Sequence, residues 1–140
     1  MSKSELTLAE VQNRDAAARK ELTQRYPLLD AAWEALEKEF AKYHLPDAVW
    51  HECYSSGGAV VTYLIVDRGS KDVRIDAAEV WEENPEEFCT RWHIKQAPVR
   101  LRVRLVEYVP ALREAVVKSA EAFVPKVDDA IQTLNSFVAN

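Results

Sequence analysis

"PVRLRVRLVEYVP", residues 98–110, alternates apolar residues with arginine for seven positions and then stops alternating. Read as a strand, its two-residue period puts Arg100, Arg102 and Arg104 on one face, a basic row that could lie against phosphates. Read as a helix, steps of ~100° per residue separate them. Arg100, Arg104 and Glu107 then form a narrow polar stripe. Val99, Val103 and Val106 sit together, Leu101, Leu105 and Val109 widen the apolar arc, and Arg102 falls inside that arc. Pro98 is a natural helix start and a helical pattern follows directly, so the stretch reads as helix. Arg102 is then expected to pair with a core-edge carboxylate or to lay its stem along apolar surface.

Outward from this stretch toward the C-terminus, Leu112, Val116, Ala120, Phe123, Val127, Ile131, Leu134 and Val138 recur in steps of four and three. That is helical spacing, and Pro125 inside it predicts a kink or the start of a new helix. Toward the N-terminus, Thr7 with Glu10 forms a capping box. Leu22, Tyr26, Leu29, Trp33, Leu36, Phe40 and Tyr43 make a second heptad stripe, interrupted by Pro27 and closed by Leu45-Pro46-Asp47. All three glycines, Gly57, Gly58 and Gly69, fall between these flanks.

The middle holds three strand candidates: "VWHECY" at 49–54, "AVVTYLIVD" at 59–67 and "DVRIDAAEVW" at 72–81. Short glycine-bearing connections predict an antiparallel meander, because parallel strands need long crossovers. Next, Asn84 suits an N-cap, Pro85 the first helical position, and Glu86 and Glu87 the positive helix end. These residues predict a short helix from Pro85 to about His93. The expected fold is α+β in a single domain. A helical arm (1–46) leads into a three-stranded antiparallel β-meander (47–81), then a helical region (84–140). That last region comprises the short helix and a long C-terminal part packed on one sheet face. This order of elements, with a tryptophan, the Ala97-Pro98 start and the Pro110-Ala111-Leu112 helix after a meander, is similar to a set of small bacterial α+β proteins of unknown function. The resemblance implies no activity.

The chain has 140 residues, 48% of them hydrophobic, and a net charge of −5. That sign argues against general nucleic-acid or anionic-membrane binding. The N-terminus has no apolar signal segment and no run is long enough to span a membrane, so a cytoplasmic location is expected. Two cysteines make no disulfide framework. Gly-rich phosphate loops and the common catalytic motifs are missing.

Four groupings could carry function. His51 and Cys53, two apart on a strand, and Cys89 and His93, four apart on the expected helix, offer a Cys2His2 zinc site, the one cofactor the sequence suggests. The same residues permit a Cys–His nucleophile pair, Cys89 with His51 or Cys53 with His93. Glu82, Glu83, Glu86 and Glu87 surround Trp81 and approach Trp92, a docking patch with indole anchors in an acidic rim. The basic residues Arg68, Lys71 and Arg74, with the three arginines above, are the sole nucleic-acid candidates. The expected function is a non-enzymatic, protein-binding regulator of the inhibitor, immunity-factor or antitoxin kind. Self-association through the helical seams is a further expectation. The alternatives are a zinc-stabilised domain, a small enzyme and a nucleic-acid-binding module.

Overall fold

The computed structural model describes residues 7–69 and 72–139. Residues 1–6, on which the missing signal segment was read, and Lys71 of the basic grouping lie outside the described residues. The chain divides into two compact units, residues 1–35 and 36–140.

Helix α1 (Leu8–Phe40) makes up the described part of the first unit and enters the second. Its start is the expected cap: the Glu10 N–H donates to the Thr7 hydroxyl over 3.1 Å, satisfying one of the unpaired N–H groups of the first turn. Pro27 lies inside the helix and neither ends it nor starts another. A proline removes a single intrahelical bond, and the remaining turns carry the helix past it.

The second unit is built on a four-stranded antiparallel sheet in the order β1 (Val49–Ser56), β2 (Val60–Arg68), β3 (Val73–Trp81) and β4 (Asn84–His93). Between β1 and β2, Gly57 and Gly58 take φ of +60° and +78°. The Ala59 N–H reaches back to the Ser56 carbonyl. Positive φ at both central residues of the 56–59 turn gives a twist that matches the flanking strands, and the ladder closes at the Ser56–Val60 pair.

The sequence expectation fails at residues 84–93. The short helix predicted from Pro85 to His93 is strand β4, so the meander has four strands rather than three. The capping signals at Asn84 and Pro85 are real, but β3 would otherwise leave a row of backbone donors and acceptors unpaired. Thr90 and Trp92 recur with a strand's period of two, opposite Glu79 and Ala77. Pro85 does not block the ladder, because Val80 pairs with Phe88 while Trp81 pairs with Asn84. Pro85, Glu86 and Glu87 are thus extruded as a bulge, a place where a sheet tolerates proline.

Pairing register sorts the side chains onto two faces. One carries Val49, His51 and Tyr54, then Thr62, Leu64 and Val66, then Ile75, Ala77 and Glu79. On it lie α2 (Val99–Arg104), a 3-10 turn at Leu105–Tyr108, and the first half of α3 (Val109–Ala139). Leu64, Val66, Ile75 and Ala77 are fully buried, as are Leu105, Leu112, Val116, Ile94 and Phe40. The other face carries Trp50, Tyr63, Asp76 and Arg91.

Residues 99–109 are helical, as expected. The Leu101 and Arg102 N–H groups bond the Pro98 carbonyl at 2.9 and 3.1 Å. The 3-10 turn has a local cause: Pro110 has no N–H to give the Val106 carbonyl, and the Val109 N–H takes that acceptor three residues on. Leu101 and Leu105 face the core, whereas Val103 and Val106 are exposed. Pro125, like Pro27, sits inside an unbroken helix.

Glu37, in the last turns of α1, is buried against the sheet end. It accepts hydrogen bonds from the Ile75 N–H (2.7 Å) and from His93 Nε2 (2.8 Å). The β3–β4 ladder stops at the Asp76–His93 pair, and the carboxylate takes the next backbone donor.

Candidate functional site: the acidic hairpin tip

The β1–β2 and β3–β4 turns lie side by side at one end of the sheet. The Glu82 N–H donates to the Ala59 carbonyl over 3.0 Å and ties the tips together. A cleft of about 380 Å³ opens between them, walled by Gly58, Ala59, Trp81, Glu83 and Asn84. Trp81 is 47% exposed, and Glu82, Glu83, Glu86 and Glu87 are all exposed around it. The bulge at 85–87 takes Glu86 and Glu87 out of the ladder, between the Trp81–Asn84 and Val80–Phe88 pairs. Among the described residues, no ion pair engages any of the four glutamates. Trp92 is not part of the cluster: it pairs with Ala77, four residues along β3 from Trp81, roughly 13 Å away at strand rise. It is half-buried.

The four residues of the zinc reading do not converge. His51 and Cys53 are on β1, Cys89 and His93 on β4, the two outer strands. Three inter-strand spacings, about 14 Å, separate those edges. Among the described residues, no group of three or more His, Cys, Asp or Glu is placed to hold a metal. The same separation breaks both Cys–His nucleophile pairs.

Both cysteines instead occupy equivalent structural positions. Glu52 pairs with Tyr63 and Tyr54 with Thr62, leaving Cys53 as the extra residue of a bulge. Glu79 pairs with Thr90 and Val80 with Phe88, leaving Cys89 in the same role. Bulges of this kind disrupt and twist edge strands. Burial pushes the Cys53 thiol up to about 11, and its hydrogen bond goes to the His51 carbonyl. Desolvation and the nearby Glu79 carboxylate raise Cys89 as well. Neither thiol is poised as a nucleophile.

The three arginines of residues 98–110 divide, as helical spacing requires. Arg102 donates to the Lys95 carbonyl (3.2 Å) and to the Ala97 carbonyl, fastening the 3-10 turn at Ile94–Gln96 to α2. Arg100 and Arg104 line a separate cleft of about 270 Å³ with Tyr54, Ser56, Leu101 and Glu79. The Arg104 guanidinium carbon stands 3.7 Å from the Tyr54 ring centre. Arg74 and Arg91 are also engaged, gripping the buried Asp76 at 2.5 and 2.6 Å on the other sheet face. Arg91 additionally approaches the Trp50 ring. These basic groups serve packing and do not form a row.

Sequence reasoning missed the Asp76 cluster and the Glu37–His93 contact. "RID" at 74–76 was legible as alternation, but nothing local marks Asp76 as buried. Among the described residues no helix is long and apolar enough to cross a membrane. Comparison with protein-family models, curated proteins and solved structures found no match, so geometry alone carries the functional reading.

Proposed function

We propose that this protein acts by binding another protein, without catalysis, as a small regulator of the inhibitor, immunity-factor or antitoxin kind. The docking surface is the hairpin tip around Trp81. One observation carries the reading: a half-exposed indole beside a cleft, ringed by four exposed glutamates that no ion pair neutralises among the described residues. A solvent-facing tryptophan is the residue type most often found anchoring interfaces, and an acidic rim steers basic partners toward it. The partner chemistry is therefore a basic segment presenting one aliphatic or aromatic side chain to the cleft.

The test is titration of the 15N-labelled full chain with a panel of lysine- and arginine-rich peptides, each carrying one central apolar residue. Saturable shifts confined to residues 57–59 and 81–87 are expected. They should weaken at least tenfold in E83K/E86K and move little with a scrambled acidic peptide. No saturable shift at millimolar peptide, or binding that is indifferent to E83K/E86K and W81A, overturns the assignment.

A further inference from the structure

Helix α3 is longer than the sheet it packs on. At 1.5 Å per residue its 31 residues extend about 46 Å, against roughly 30 Å for a nine-residue strand. Leu112 and Val116 are its fully buried residues. Beyond them the apolar stripe continues with nothing over it. Val117, Val124, Val127, Ile131, Leu134 and Val138 are 40 to 85% exposed.

The exposed residues keep a strict seven-residue repeat. With Val117 as position a, the a sites are Val117, Val124, Ile131 and Val138, and the d sites are Ala120, Val127 and Leu134. We infer that this stripe is the seam of a parallel, two-stranded coiled coil with α3 of a second copy of the chain. The inference stands apart from the hairpin-tip reading and uses none of its residues.

Three observations choose this occupant. Every a site is β-branched, half of the pattern that favours two parallel strands, and Leu134 supplies its matching d-site leucine beside Ala120 and Val127. Charge disfavours the antiparallel alternative. Full antiparallel overlap of the a and d layers brings e sites together and sets Glu121 against Asp128 of the other copy, twice. Parallel pairing sets e against g, and the g sites are Phe123, Ala130 and Phe137, so no like charges meet. Pro125 falls at a b site, on the outside of the pair, so its ring does not enter the seam.

Area sets the strength. Seven seam side chains offering about 70 Å² each give ~500 Å² per copy, so ~1,000 Å² in all. That is just below the ~1,200 Å² at which standard stable interfaces begin. An interface of that size belongs with weak, reversible association, and the test is set for a dissociation constant of roughly 10 to 100 µM.

Sedimentation velocity of the full chain from about 1 to 500 µM tests this. A monomer–dimer equilibrium in that range is expected. I131D/L134D should weaken it at least tenfold while leaving the near-UV circular dichroism unchanged, since both side chains are exposed. D129A, at an outward f site, should leave the equilibrium where it was. Orientation is read with V138C placed in a C53A/C89A background: parallel chains bring the two 138 sites within disulfide reach, and oxidation should yield a covalent dimer. A monomer at every concentration, a dimer indifferent to I131D/L134D, a larger assembly, or a dimer that V138C cannot cross-link each overturns the inference.

Discussion

Cys53 illustrates how one residue's chemistry follows from its place in a ladder. As the extra residue of a bulge it is half-buried in an edge strand, and desolvation lifts its thiol from 9.0 to about 11. A raised pKa favours the protonated form, so the thiolate is scarce until the pH nears 11. At pH 8 its thiolate fraction is about a hundredfold lower than that of an unperturbed thiol, and alkylation slows in proportion. Iodoacetamide labelling of C89A, followed by mass spectrometry between pH 7 and 11, should show this lag, with the rate climbing until about pH 11. Labelling at the rate of free cysteine at pH 8 would contradict the burial. Glu37 shows the same dependence on position. Nothing in "EALEKEF" distinguishes it from the exposed Glu34 or the half-buried Glu39, yet it holds the Ile75 N–H and His93.

Among the elements, α3 is divided by what it touches. Its first half buries Leu112 and Val116, while Leu134 is 65% exposed. The two leucines look alike in the periodic pattern and differ in consequence. L112A opens a cavity in a packed core and should destabilise by about 3 kcal/mol; L134A should change monomer stability by less than ~0.5 kcal/mol. Urea denaturation of both variants below 5 µM, well under the expected dimer dissociation range, checks the pair. Equal losses would mean that the exposed half of α3 is in fact covered. The strands divide too. β2 read correctly because it is rich in β-branched residues, and β3 because Val73, Ile75 and Ala77 alternate with Arg74, Asp76 and Ala78. β4 was hidden behind genuine helix-capping residues, and the bulge at Cys89 puts Phe88 out of step with Thr90 and Trp92, so its period-two signal is short.

For the whole molecule, the acidic balance acts on both proposed surfaces. Net charge is −5 at pH 7 and the isoelectric point lies near 5.3. Copies therefore repel one another at neutral pH, and that repulsion disappears as the pH falls toward 5.3. At a fixed concentration near 50 µM, light scattering should report a larger mean mass at pH 5.3 than at pH 8, and I131D/L134D should reduce the difference. A mass that does not change with pH would show that net charge has no hold on association.

The sequence by itself determined the features that depend on a few neighbouring residues. Thr7 begins α1, Pro98 begins α2, the paired glycines turn β1 into β2, and a 100° step scatters Arg100, Arg102 and Arg104. Tertiary structure alone decided the rest. The open edge of β3 recruited residues 84–93 as a strand against their own capping signals, because unpaired backbone groups outweigh a cap worth about 1 kcal/mol. That recruitment placed Cys89 and His93 on the edge opposite His51 and Cys53, and it drew Glu86 and Glu87 to the tip beside Trp81. Pairing and coverage depend on residues far apart in the chain, and a local pattern has no means of recording them.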